Sequence, residues 1–329
     1  MQTLPLDSER LREIFGRAVR WSLAGTGLAL PAAALLLGSA CGPCPPVDEI
    51  YLLREPDARI QTLVDACRDP ASPQCGPLCA AVSGRPEGVL EHCEMHKDRD
   101  GYFVVHVGWN PSCPGGRRPR RLAFGHGRRT TSAAGQWFAE LCQLEAASVP
   151  AFETLEAELE HAEAPRPLVS AARAAAGDER RHTRLAARLA ERFDAAPARP
   201  VVGPSGDRAL GDMAEENIVE GCVREAYGAA LAMVQATTAV DPVVRAAMQS
   251  IAIDETRHAA LALAVHRWAA GRLGARAQAR VADAGATAVQ QLRASAGCDW
   301  SPVLGATIGL PPPPVARALV DHLSRTLWA

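Results

Sequence analysis

The chain has 329 residues, a formal net charge of −2, 48% hydrophobic residues and only 5% aromatics. A near-neutral chain with pI close to 6.5 lacks the electrostatic footprint of a nucleic-acid partner. Its length allows two modest domains with cores of their own, and an alanine- and leucine-rich second half favours helix over sheet.

The first forty residues read as a targeting segment outside the fold. Arg10, Arg12, Arg17 and Arg20 precede an uncharged stretch from Trp21 to Ala40, which ends Leu37-Gly38-Ser39-Ala40-Cys41. Small residues before a cysteine resemble a bacterial lipoprotein signal with Cys41 lipidated, although the leucine stands four rather than three positions ahead. An ordinary secretory signal or an uncleaved anchor is the alternative, since about 20 apolar residues just span a bilayer. Each version expects an exported protein of the bacterial cell envelope that meets the membrane through a lipid or an anchor.

Residues 41–130 form a cysteine-rich α+β module. Six of the ten cysteines crowd there: Cys44, Cys67, Cys75, Cys79, Cys93 and Cys113. In an exported chain such density reads as a disulfide framework, with fifteen possible pairings. His92-Cys93 and His96 suggest a zinc site instead, but Cys75-x-x-x-Cys79 lacks a matching second pair. Asp57 to Cys67 reads as a short helix and Tyr102 to Trp109 as a strand. The arginine-rich run from Cys113 to Arg129 reads as a solvated linker, with anionic lipid as the alternative partner.

Beyond it the pattern turns helical, and a four-helix bundle is expected over 131–272. Its helices are placed at 132–162, 167–195, 208–238 and 242–271, separated by Pro165 and Pro167, by Pro197, Pro200 and Pro204, and by Asp241-Pro242. Pro150 should kink the first of them. A C-terminal extension, 273–329, adds helices near 274–296 and 313–327 with a loop from Cys298 to Pro314 between them.

The chemistry lies in a duplicated pattern. Asp178-Glu179-Arg180-Arg181-His182 and Asp254-Glu255-Thr256-Arg257-His258 repeat Asp-Glu-x-Arg-His, and a glutamate precedes each: Glu145 lies 34 residues before Glu179, and Glu220 lies 35 before Glu255. All six candidate donors fall on apolar seams spaced three and four apart, so they face the middle of a bundle. Four buried carboxylates without compensation would be prohibitive. Two divalent ions would cancel four carboxylate charges, and Glu-x-x-His places both donors on one helix face. Glu158-Leu159-Glu160-His161 has the same spacing but faces elsewhere and reads as a solvated helix end. Glu216 is a spare seam carboxylate. Glu225, about 140° around an ideal helix from Glu220, reads as solvated.

This arrangement resembles the ferritin-like superfamily, specifically its di-iron carboxylate proteins, over residues 132–271. The resemblance implies two iron ions, with manganese as the alternative, bridged by Glu179 and Glu255. Glu145 and Glu220 would be terminal ligands, and His182 and His258 would each bind one ion. Asp178 and Asp254 would orient the imidazoles, with Arg181 and Arg257 neutralising those aspartates. Tyr227 would be a redox-active phenol or plain core. Oxygen ligands with imidazole suit iron or manganese rather than structural zinc. The expected activity is an oxidase or oxygenase acting with dioxygen or peroxide and an unidentified electron donor. Iron sequestration or ferroxidase activity, and a metal-free interaction protein, are the competing readings.

Overall fold

The computed structural model describes residues 8–24, 47–54, 56–68, 74–83, 90–98, 101–109, 117–119, 122–123, 132–202, 208–296 and 302–328. The chain divides into two compact units, one of Cys44–Cys113 and one of Met1–Pro43 with Pro114–Ala329.

In the smaller unit β1 (Val47–Leu53), β2 (Leu90–Lys97) and β3 (Phe103–Trp109) form an antiparallel sheet in the order β1-β3-β2. Alternation along β3 turns Phe103 and Val105 to one face, where they pack with Val64 and Leu78 of α2 (Ala58–Cys67) and α3 (Gly76–Ser83). Asp57 caps α2 by accepting the Ile60 amide at 2.9 Å. So small a core is reinforced covalently by Cys67–Cys75 and Cys79–Cys93. The expected disulfide framework therefore holds for these four cysteines, and Cys75 and Cys79 are not zinc ligands. Cys44, Cys113 and Cys298 lie outside the described residues.

Bridges of this kind persist in an oxidising environment. The 14-residue separation of Cys79 and Cys93 corresponds to about 3 kcal/mol of unfolded-state entropy. The double substitution Cys79→Ala/Cys93→Ala should lower the unfolding free energy of this unit by about that amount in a urea titration.

The larger unit begins with a correction. α1 (Ser8–Ala24) is not outside the fold: Leu11, Ile14, Phe15, Ala18 and Val19 are buried in the main hydrophobic cluster. Their 3-1-3-1 spacing is the apolar stripe of an amphipathic helix, and Arg12, Arg17 and Arg20 are on its exposed face. The uncharged stretch beyond Ala24 and Cys41 lies outside the described residues. Among those described, no helix is long and apolar enough to cross a membrane.

The rest of this unit is a helix bundle. α4 (Ala133–His161) starts at Ser132, whose hydroxyl accepts the Gly135 amide, and continues through Pro150. A short turn at 162–165 brings α5 (Arg166–Arg192) back against it. The third rod is composite: α6 (Leu210–Glu216), a π-helical segment (Asn217–Glu225) and α7 (Ala226–Thr238). α8 (Pro242–Ala270) is capped by Asp241, which accepts the amides of Val243 and Val244.

All four rods fall within a few residues of expectation. β4 (Leu122–Ala123) and β5 (Val201–Val202) make a two-residue ribbon. α9 (Ala275–Ser295) and α11 (Pro313–Thr326) follow as expected, but α10 (Pro302–Ile308) occupies part of the expected loop. Gly309, at φ +75°, permits the turn after it, since a Cβ there would stand 2.7 Å from the Ala239 nitrogen. The Gln235 amide nitrogen donates to the Ile308 carbonyl at 2.9 Å and ties that turn to α7.

Candidate metal centre

α5 and α8 each present a glutamate and a histidine one turn apart on the inward face. Glu179 and His182 are fully buried, and Glu255 and His258 are 2% exposed. Glu145 joins them from α4, also buried, on the seam that holds Leu141 and Phe152. Five of the six expected donors thus meet.

The sixth does not. Glu220 pairs with Arg224 of its own helix and accepts the Arg118 amide at 3.3 Å. The third rod contributes Glu225 instead, which is 1% exposed and not solvated as expected. The π segment explains the difference. Its i→i+5 hydrogen bonds widen the turn and shift the residues beyond it, so Glu225 does not keep the outward phase that the ideal period assigns it.

Gly221 lets this wide turn press against α8, since a Cβ there would lie 2.5 Å from that of Ala262. Asn217 locks it by donating to the Ala262 carbonyl at 2.9 Å and accepting from Arg117 Nη2 at 2.6 Å. Arg117 and Arg118, expected in a solvated linker, are buried against this rod. The Arg117 guanidinium lies 5.6 Å from the Phe152 ring centre, and that ring lies 5.0 Å from His258.

The donors form two groups that share Glu179: Glu145, Glu179, His182 and Glu255 in one, and Glu179, Glu225 and His258 in the other. Within each group the donor atoms lie within 4.8 Å of one another. Glu179 faces both imidazoles, with Oε2 3.7 Å from His182 Nδ1 and Oε1 3.2 Å from His258 Nδ1. Glu255 Oε1 does the same at 3.3 and 3.5 Å. These are ion-pair distances without hydrogen-bond geometry. Nine donor atoms are buried with no hydrogen-bond partner: Glu145 Oε2, both oxygens of Glu179, Glu225 and Glu255, and Nδ1 of His182 and His258. Buried polar groups are ordinarily satisfied, so these residues fit cation binding.

An outer ring sets the imidazoles. Asp254 meets His182 Nε2 at 3.0 Å, and Asp178 meets His258 Nε2 at 3.4 Å, so each aspartate serves the histidine of the opposite helix. Arg181 contacts Asp178 at 2.5 Å and Asp254 at 3.0 Å; Arg257 contacts Asp254 at 2.5 Å and Asp178 at 2.9 Å. Burial pushes the Asp178 carboxyl up, but His258, Arg181 and Arg257 outweigh it and hold the group well below the usual range. Burial acts on Asp254 likewise and is outweighed, chiefly by His182. With Nε2 committed outward, Nδ1 of each ring faces the carboxylates. Asp254→Asn should weaken metal affinity about 10- to 100-fold while leaving the helical circular dichroism intact.

The inner groups are pulled apart by the same physics. Burial, then Glu179, raises Glu145 well above the carboxylate range, and burial raises Glu225 to about 8 despite Arg117. Burial would also raise Glu179, but the imidazoles of His182 and His258 beside it hold it low. Burial alone would lower both imidazoles; their carboxylate partners, Asp254 first for His182 and Asp178 first for His258, raise them well above the usual value.

The remaining candidates have other partners. Arg208 bridges Glu158, at 2.5 Å, and Glu216, so Glu216 is no spare ligand and Glu158 is ion-paired rather than solvated. Tyr227 is buried in the main hydrophobic cluster. Comparison with known protein families, curated proteins and solved structures found no match to this chain.

Proposed function

We propose that the cluster binds two transition-metal ions, iron with manganese as the alternative, and that the chain is a ferritin-like di-iron carboxylate protein with oxidase or oxygenase activity in an oxidising compartment. The observation that carries this reading is the convergence of nine unpartnered buried donor atoms from four helical rods. Glu145 and His182 would hold one ion, Glu225 and His258 the other, and Glu179 and Glu255, which face both imidazoles, would lie between them. Such a pair supplies two electrons for the reduction of dioxygen or peroxide.

The chain's own contribution is electrostatic and positional. Four carboxylates (−4) balance two divalent ions (+4), which makes a buried site neutral. Asp178 and Asp254 hold the imidazole protons on Nε2 and free Nδ1 for the ions. Phe152 and the packed seam exclude bulk water, which strengthens each of these interactions. The two disulfides support an oxidising setting.

Anaerobic titration with ferrous ion, followed by stopped-flow absorbance on exposure to air, tests the reading. Two ions per chain and an oxygen-dependent transient absorption band are expected. Saturable uptake with no spectral response to oxygen would reduce the site to passive binding.

A further inference from the structure

We propose that a second site in the larger unit binds an uncharged, mainly apolar small molecule. It is a half-open cavity of about 720 Å³ bounded by α6, the π segment, α8, α9 and α11. That volume lies in the ordinary range for small-molecule sites, about 300–1,000 Å³. The proposal does not rest on the metal reading, because none of the six clustered donors lines the cavity.

Its lining selects the ligand. None of the eighteen described lining residues is Asp, Glu, Lys or Arg, so a charged guest would lose hydration on its inward side with no lining counterion to meet it. Ile218, Leu273, Val281, Val289 and Leu327 supply aliphatic walls. Three of the polar side chains spend donors on the protein's own carbonyls, and Gln290 is exposed. The Gln278 amide nitrogen donates to the carbonyls of Ala270 and Leu273 at 2.9 and 3.0 Å. Ser324 donates to Val320 at 2.8 Å. Trp328 donates from Nε1 to the Cys222 carbonyl at 2.8 Å, which leaves its ring as apolar surface.

His266, half-buried on α8, is the polar handle of the cavity. Burial, then the neighbouring Arg267, holds its imidazole below the usual value, so it meets a ligand as a neutral hydrogen-bonding group. A hydroxylated aromatic or aliphatic molecule fits this combination of one polar contact and apolar walls. The cavity also shares a structural wall with the metal cluster. Cys222 and Val223 line it, and they belong to the π segment that carries Glu225.

The test is a fluorescence titration of the full chain with 1-naphthol, run on both chelator-treated and metal-loaded protein. Saturable single-site binding is expected in both forms. Ala286→Trp, which fills the cavity from an exposed lining position, should weaken binding at least tenfold. Val303→Trp, on the exposed face of α10, should bind as wild type does and controls for general hydrophobicity. The anion 1-naphthoate and the cation 1-naphthylmethylammonium should bind at least tenfold more weakly. Absence of saturable binding, unchanged affinity in Ala286→Trp, or equal affinity for the charged analogues overturns the proposal. Loss of metal binding with naphthol binding retained would sink the di-metal reading alone.

Discussion

Replacing Glu225 by alanine should cut metal uptake from two ions per chain to one, whereas Glu220→Gln should leave both ions bound. The contrast follows from where the two carboxylates sit. Glu225 is buried with both oxygens unpartnered beside Glu179 and His258, and removing it leaves the second ion with only the shared carboxylates of Glu179 and Glu255 and one imidazole. Glu220 is held by Arg224 and the Arg118 amide, outside the donor groups. Its loss frees an arginine at a half-buried position and should cost about 1 kcal/mol of stability rather than a metal. Metal analysis after desalting measures both variants, with circular dichroism to confirm the fold. Equal stoichiometry in the two, or loss in Glu220→Gln alone, would restore the sequence assignment and contradict the π-segment account.

Metal binding should release up to four protons per chain near neutral pH, and affinity should rise steeply with pH. In the metal-free protein four groups are raised: the imidazoles of His182 and His258 and the carboxyls of Glu145 and Glu225, the last to about 8. A raised folded-state value means the folded chain holds protons that the unfolded chain has lost. The associated stability is therefore fully present below the unfolded values and disappears as pH rises through the folded ones. For these four groups the window opens near pH 5 for the carboxyls and extends past pH 8.

Metal-free protein should consequently melt at progressively lower temperature between pH 6 and 9. Metal-loaded protein should not, because the ions take the place of the protons. Asp178, Asp254 and Glu179 act in the opposite sense: their lowered values contribute stability that is lost only as pH falls below about 4. Calorimetric titration in buffers of different ionisation enthalpy counts the released protons. A count of zero would mean that the carboxylates and imidazoles do not bind the ion.

Much of this was legible from periodicity, because a helix of regular pitch converts spacing into facing. Glu145, Glu179, His182, Glu255 and His258 lie on regular helices and meet where their seams place them. The aspartates of the repeat meet the imidazoles, each the histidine of the opposite helix. Glu225 escaped the same logic because nine residues of π helix break the period that the phase calculation assumes. The one local signal was Gly221, a residue that tolerates close helix approach but does not announce a wider turn.

Other misses have equally physical causes. Arg117 looked solvated because its partner Asn217 is 100 residues away, and no local pattern reports a long-range hydrogen bond. The packing of α1 was missed because arginines before apolar residues suit a leader and an amphipathic helix alike, and only the stripe from Leu11 to Val19 points to burial. α10 was too short, and too surrounded by proline, to show a helical period.

Crystals grown with ferrous or manganous ion and measured at the metal absorption edge test the central assignment most directly. The account predicts two anomalous peaks, one bounded by Glu145, Glu179, His182 and Glu255 and the other by Glu179, Glu225, Glu255 and His258. A single surface peak, or none between α5 and α8, would contradict it.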